Sequence, residues 1–333
     1  MTERFRHRAV AGAGAAELPP DARPQAGPIA VLPESDAGEV FLDAVRSAGG
    51  EPAPLGSSTR GIVWLGPSDP DGLLEALERS PGVQWVQLPW AGVDAFAQAL
   101  ADHDRDDLVW TSAKGAYAQP VAEHALTLTL AGLRSLTERA RATSWGPKTG
   151  ESLYGKTVVV VGAGGIAVEL IRLMAPFDVR TIVVRRSAGE VEGAERTVTS
   201  ERLAEVLPEA DVLVLAAAST AETRHLIGER ELAAMKPTAV LVNVARGALV
   251  DTDALVAALR GERLHFAGLD VTDPEPLPDG HPLWSEPRAL ITPHSADTPE
   301  MIEPLLAERV RLNVEAFVST GRFVGVVDPR AGY

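Results

Sequence analysis

Val158-Val159-Val160-Val161 runs directly into Gly162-Ala163-Gly164-Gly165-Ile166-Ala167, and a helix-forming stretch from Val168 to Ala175 follows. Four β-branched residues in succession read as a strand buried on both faces. A strand that ends in a glycine-rich turn and opens a helix is the first half of a βαβ unit. The turn fits the pattern Gly-x-Gly-x-x-Gly/Ala. Gly162 permits the tight bend, Gly164 admits the pyrophosphate of a dinucleotide, and the small Ala167 lets helix and strand pack closely.

The chain around this turn alternates in the same way. Upstream come the apolar runs Ile29–Leu32, Gly61–Leu65, Val83–Leu88 and Leu108–Trp110, with amphipathic segments at 37–48 and 71–79 between them. Downstream come Val158–Val161, Thr181–Val184, Val212–Leu215, Ala239–Val242, Phe266–Leu269 and Ala289–Thr292. Strand and helix alternating at this spacing predict an α/β protein with two parallel-sheet domains, Rossmann-like and flavodoxin-like, a division that 333 residues readily accommodate. A long helix is expected over 119–138 and another at Met301–Val318. The strand-like tail Phe323–Val327 is too short for a third domain and is expected to return to the first. Residues 1–27, rich in Ala, Gly and Pro and without an apolar signal-peptide core, read as a disordered arm.

A formal charge of −15 opposes binding to nucleic acid or an anionic membrane surface, although local arginines can still attract a small anion. The chain has no cysteine, so disulfides, a thiolate nucleophile and Cys-based metal sites are excluded, and no metal site is expected. No run of 18 apolar residues is present, and the protein is expected in the cytoplasm.

About 20 residues past the glycine turn, an acid would bind the ribose hydroxyls of NAD. Val184-Arg185-Arg186-Ser187 stands there instead. Two guanidiniums and a hydroxyl suit a 2′-phosphate, so NADP(H) is favoured, with NAD(H) possible. The last third of the chain then offers a cation, a carboxylate and an imidazole in order: Arg246, Glu275 and His294. A guanidinium forks onto a carboxylate and polarises a carbonyl, and an imidazole carries a proton near neutral pH. Together with a hydride source they make a kit for reducing a small 2-keto acid.

Val121-Ala122-Glu123-His124-Ala125-Leu126, Leu153-Tyr154-Gly155-Lys156-Thr157-Val158, Thr223-Arg224-His225-Leu226-Ile227, Val242-Asn243-Val244-Ala245-Arg246-Gly247-Ala248-Leu249-Val250-Asp251 and Thr292-Pro293-His294 resemble signatures of the D-isomer-specific 2-hydroxyacid dehydrogenases. The resemblance implies a substrate-binding domain at 28–118 plus 298–333, an inserted NADP-binding Rossmann domain at 119–297, an active-site cleft between them, and a homodimer formed through the inserted domain. It further implies that Arg246 orients the substrate, that Glu275 is the acid paired with His294, and that His294 exchanges the proton. By the same resemblance Gly162, Gly164, Gly165, Ile166, Ala245 and Asp270 contact the cofactor, Asp270 near the nicotinamide carboxamide. Backbone amides of the Ala91-Gly92-Val93 loop would receive the substrate carboxylate together with Arg246. His124 and His225 lie inside these segments but suit helix packing or local hydrogen bonding.

Within the family, the arginines at 185 and 186, the Trp64 region and the Trp90–Asp94 loop are most similar to the NADPH-preferring glyoxylate/hydroxypyruvate reductases. The stretch Val63–Ser68 has no cation, which disfavours a phosphorylated substrate. Two departures stand out: Ala216-Ala217-Ala218-Ser219-Thr220 replaces the frequent His-x-Pro-x-Thr, and Ala167 replaces a third glycine. Trp145 would either project toward a partner's active site or pack at an interface. Two other readings share the scaffold, phosphite-type oxidation and a dinucleotide-sensing corepressor-like binding protein. Formate oxidation is disfavoured because Glu275 stands where glutamine would.

Overall fold

The computed structural model describes residues 15–67 and 69–329, and the chain divides into two compact units. The first comprises residues up to Tyr117 together with Pro299 onward, and the second spans Ala118–Thr298.

In the first unit, β1 (Ala15–Glu17) precedes the parallel strands β2 (Ile29–Leu32), β3 (Gly61–Trp64), β4 (Trp85–Gln87) and β5 (Val109–Thr111), which lie side by side in that order. Beyond β2 the chain returns at Pro52, where a single parallel bridge pairs it with Ile29. Counting that bridge as the second strand gives the order 2-1-3-4-5 of flavodoxin-like sheets. The bridge is made by the Ile29 amide to the Glu51 carbonyl at 2.8 Å and by the Ala53 amide to the Ile29 carbonyl at 2.9 Å, and Pro52 and Pro54, which lack an N–H, suit an edge position. Residues 15–27, expected as part of a disordered arm, instead carry β1 and a short 3-10 turn at Pro20–Ala22. β1 pairs antiparallel with Arg322–Val324, so the end of the chain supplies the partner that local sequence does not announce. The first fourteen residues of that arm lie outside the described residues.

The last helix, Pro299–Glu315, is fastened to this unit by buried polar groups. Asn313 Nδ2 donates to Gln87 Oε1 at 2.6 Å and its Oδ1 accepts from the Val324 amide at 2.7 Å. The wholly buried Arg309 donates to the carbonyls of Ser112 at 2.6 Å and Lys114 at 2.9 Å. Burial pushes its guanidinium down to about 10.

The second unit holds seven parallel strands: β6 (Thr157–Val161), β7 (Arg180–Arg185), β8 (Arg196–Thr199), β9 (Val212–Leu215), β10 (Val240–Asn243), β11 (Phe266–Leu269) and β12 (Ala289–Ile291). Their order is β12-β11-β10-β9-β6-β7-β8, the doubly wound arrangement in which the strand order reverses between β6 and β9. The six predicted strands are all present, and β8 is a seventh. It escapes a hydrophobic scan because it is an edge strand, Arg-Thr-Val-Thr, with only Val198 buried. The long helix expected over 119–138 is two helices, Ala118–Leu133 and Leu136–Arg141, broken where Ser135 takes φ 49°. Among the described residues no helix is long and apolar enough to cross a membrane.

Candidate active site

The glycine turn sits at the reversal point of the second sheet. Gly162 has φ +116°, and a Cβ there would overlap the Ala216 carbonyl at the end of β9. Only glycine combines that conformation with that approach. Gly164 opens the helix Gly165–Met174 with no side-chain cap, and a Cβ on it would meet nothing within 4 Å. The side of the turn away from the sheet is therefore open, and it presents uncapped amides from Gly165 and Ile166 where an anion is favoured. Ala167 is fully buried, so the helix packs closely without a third glycine.

β7 carries the arginines beside this turn. The Gly162 amide donates to the carbonyl of Val184 at 2.8 Å, one residue before Arg185. Arg185 Nη2 donates to Ser187 Oγ at 3.2 Å, while its Nε is buried with no hydrogen-bond partner among the described residues. Arg186 and Ser187 are exposed. The geometry of the turn and these donors fit a dinucleotide.

The turns after β10, β11 and β12 bring the three chemical groups into one unit. After β10, Asn243 folds its amide back to accept from the Ala245 N–H at 3.0 Å and to donate to the Arg246 carbonyl at 2.9 Å. Gly247 then lies against the loop after β11, where a Cβ would overlap the Thr272 carbonyl. That approach seats the Arg246 turn beside the loop bearing Glu275. Arg246 is half-buried and donates from Nη1 to the Ala245 carbonyl at 2.8 Å. The Thr223–Ile227 stretch supports the same turn from below: the amides of His225 and Ile227 donate to the carbonyls of Ala248 and Leu249 at 2.7 and 3.0 Å. The His225 side chain is exposed and His225 itself has φ 51°, so its contribution is made through the backbone.

His294 Nδ1 lies 2.6 Å from Glu275 Oε1, with the two side chains 45% and 41% exposed. Facing a carboxylate, Nδ1 carries a proton and donates it, which leaves Nε2 for solvent or substrate. His294 takes φ 49°, and its amide donates to the carbonyls of Asp270 at 2.8 Å and Thr292 at 2.9 Å.

Asp270 is buried behind this pair. Its Oδ1 accepts from Thr292 Oγ1 at 2.6 Å and the Ser295 amide at 2.9 Å, and its Oδ2 from the Ala296 amide at 3.1 Å. Burial alone would raise its carboxyl, but hydrogen bonds from His124, Thr292 and the two amides outweigh that and hold it below the usual range. A third acidic group, Asp297, has no counterpart in the sequence reading. Burial pushes its carboxyl up to about 6, the charge of Asp270 adds to the rise, and His294 and Arg246 oppose it. Asp297 thus feels the histidine, the arginine and the buried aspartate at once. Its sequence signal was only its place three residues after His294.

Ala91, Gly92 and Val93 belong to the first unit. Val93 is buried, Ala91 exposed, and the Phe96 amide donates to the Val93 carbonyl at 2.9 Å. The amides of Gly92 and Val93 donate to no backbone carbonyl among the described residues. Trp90 Nε1 holds the loop to the Pro67 carbonyl at 2.8 Å.

Residues 124–296 match the family described as D-isomer specific 2-hydroxyacid dehydrogenase, NAD binding domain. A Corynebacterium melassecola protein described as an uncharacterized protein in the proB 3′ region is 41% identical over 257 residues, covering 75% of this chain and 84% of that one. A glyoxylate reductase of Pyrococcus furiosus is 32% identical over 255 residues, covering 73% of this chain and 75% of its own length. Among solved structures, a D-isomer specific 2-hydroxyacid dehydrogenase from Xanthobacter autotrophicus Py2 in complex with NADPH and MES superposes with a TM-score of 0.74 at 28% identity, covering 92% of this chain and all of that one. With an NAD(P)-binding sheet and a relative of this closeness over three quarters of its length, the chain belongs to the NAD(P)-dependent D-isomer specific 2-hydroxyacid dehydrogenases.

Proposed function

We propose that the protein reduces a small 2-oxo acid of the glyoxylate or hydroxypyruvate kind to its D-2-hydroxy acid, with NADPH preferred over NADH. The observation that carries this reading is the half-exposed His294–Glu275 pair at 2.6 Å, in the same unit as Arg246 and the glycine turn. The glyoxylate reductase of Pyrococcus furiosus and that of Aeropyrum pernix, 35% identical over 255 residues, support the substrate class.

Bound nicotinamide supplies or takes the hydride. The chain's own groups do the rest. Arg246 draws in the anionic substrate, forks onto its oxygens and stabilises charge on the carbonyl oxygen as it grows. His294 delivers a proton from Nε2 to that oxygen and recovers it in the reverse direction, while Glu275 holds the ring by Nδ1 and balances its charge. The amides of Gly92 and Val93 receive the substrate carboxylate. Gly162, Gly164, Gly165, Ile166 and Ala245 hold the dinucleotide, with Asp270 at its carboxamide end, and Arg185, Arg186 and Ser187 grip the 2′-phosphate. The buried, unpartnered Nε of Arg185 supports that last assignment, since a phosphate would satisfy a donor that the protein leaves open.

The working unit in this reading is a homodimer formed through the second unit. Leu136, Trp145, Tyr154 and Val168 expose 51, 94, 64 and 44% of their area there and offer apolar surface to such an interface. Initial rates with a panel of 2-oxo acids and both reduced cofactors test the reading, alongside sedimentation for the dimer. Fastest turnover of glyoxylate or hydroxypyruvate with NADPH is expected. No turnover of any 2-oxo acid would refute it.

A further inference from the structure

His124 lies on the helix Ala118–Leu133, 168 residues before Thr292, yet its Nε2 stands 2.9 Å from Thr292 Oγ1 and 3.4 Å from Asp270 Oδ1. The direction of each hydrogen bond follows from counting protons. Asp270, held ionised by its donors, has no proton to give. Thr292 has one hydroxyl hydrogen, and at 2.6 Å it goes to Asp270 Oδ1. The Thr292 oxygen therefore accepts from His124, which must carry its proton on Nε2. A one-way chain results: His124 Nε2–H to Thr292 Oγ1–H to Asp270 Oδ1.

The far end of that chain holds the turn that presents His294. The Ser295 and Ala296 amides end on the Asp270 carboxylate, and the His294 amide ends on the Asp270 carbonyl. Thr292, Ser295 and Ala296 flank His294 on both sides, so hydrogen bonds from both flanks of the turn and from His294 itself converge on one buried aspartate. The φ of 49° at His294 is a conformation that a residue other than glycine adopts only when its surroundings impose it. The anchors impose it here. His124 is itself mostly buried, its side chain 19% exposed, so water does not readily take its place in the chain.

We infer that His124 is a positioning residue for His294. Its Nε2–H orients Thr292 and Asp270, and these hold turn 292–296 in the left-handed conformation that aims the imidazole at Glu275. The inference rests on His294 being the proton carrier and adds a residue from a different element to that assignment. Plain packing of the helix against the sheet would need only the bulk of an imidazole. Positioning needs its donor, and this difference is testable.

The variants His124→Leu, His124→Gln, Thr292→Val, the double variant His124→Leu with Thr292→Val, and His294→Asn are compared for kcat on a 2-oxo acid and for NADPH Kd by fluorescence. His124→Leu is expected to lower kcat about tenfold with NADPH Kd within about twofold of wild type, because the defect lies in transition-state geometry and not in cofactor binding. His124→Gln, whose amide can donate from nearly the same place, is expected to recover kcat to within about threefold. Thr292→Val should cost about as much as His124→Leu, and the double variant no more than either, since both cut the same chain. Should His124→Leu not fold, His124→Gln and Thr292→Val carry the test, the first near wild type and the second about tenfold slow. Wild-type kcat in His124→Leu or Thr292→Val would overturn the inference, and so would a His124→Gln variant as slow as Thr292→Val or losses that multiply in the double variant. His294→Asn separates the two levels: its retention of turnover refutes the proton carrier itself, whereas an inactive His294→Asn beside a fully active His124→Leu refutes only the positioning role.

Discussion

Nδ1 of His294 meets Oε1 of Glu275 at 2.6 Å, and the pair joins the loop after β11 to the turn after β12, which Thr292 Oγ1 also ties together by donating to Asp270 Oδ1 at 2.6 Å. The contact does two things. It orients the ring, and it places a negative charge beside the imidazolium that forms each time the ring gains a proton. Glu275→Gln keeps the first and removes the second, because an amide oxygen still accepts from Nδ1. We expect kcat for reduction to fall roughly a hundredfold, the lower range of general acid–base effects, with a small change in NADPH Kd. Steady-state rates against titrated NADPH fluorescence measure the two separately.

Gly247 tests how the arginine is seated. A Cβ there would overlap the Thr272 carbonyl, and both sides of the contact are backbone, so no rotamer change relieves it. Gly247→Ala must push the Arg246 turn away from the loop bearing Glu275. The expected cost is about 1–3 kcal/mol of stability, with a rise in substrate KM because Arg246 moves with the turn. Thermal melts and KM values check both, and a variant with wild-type KM would show that Arg246 is seated by something else.

Asp297 gives stability a pH dependence of definite sign. Its carboxyl is raised from 3.8 to about 6 by burial. A folded-state pKa above the unfolded one means that folding takes up a proton, so this group's contribution is fully present below pH 3.8 and is lost as pH rises through about 6. Asp297→Asn cannot ionise and escapes that loss. It should raise Tm relative to wild type at about pH 8 and leave it little changed at about pH 4. Equal shifts at both pH values would contradict the assignment.

The buried framework of the second unit is readable from sequence because its strands are short runs of apolar residues and its first turn is marked by glycine. Val158–Val161 and Gly162 are the clearest case. Elements that satisfy other demands are hidden. β8 shows a scan one buried residue, the flavodoxin-like second strand survives as one bridge at Pro52, and β1 exists only because Arg322–Val324 pairs with it. The break falls at Ser135, which is neither glycine nor proline, three residues after Gly132. In the site, Arg246, Glu275 and His294 stand in recognisable local patterns, and each sits in a loop that follows a strand of one sheet. The linkage of His124 to Thr292 and Asp270 is not local at all, since it joins a helix to two strand ends. Asp297 differs again: its chemistry comes from burial, which sequence position alone does not convey.

Arg185 tests the cofactor assignment. Its position beside the Gly162 turn and the open donor at Nε suit a 2′-phosphate. A charge-assisted hydrogen bond is worth about 1.5–3 kcal/mol, so even one gives NADPH at least about a tenfold advantage in kcat/KM over NADH. Arg185→Asp removes the cation and offers a carboxylate to the ribose hydroxyls, so preference should move toward NADH while kcat with saturating cofactor is kept. A wild-type enzyme that uses NADH as well as NADPH would return Arg185 to the solvated surface.

Proton transfer by His294 is the claim on which the chemistry depends, and one comparison reaches it directly: kcat/KM for glyoxylate or hydroxypyruvate in wild type and in His294→Asn, with NADPH Kd measured on the same preparations. His294 touches Glu275 and the backbone of Asp270 and Thr292, and the Gly162 turn does not depend on its ring. The variant should therefore bind NADPH as wild type does while kcat/KM falls about 10²- to 10⁴-fold. Near-native kcat/KM in His294→Asn would contradict the assignment and require another group to carry the proton.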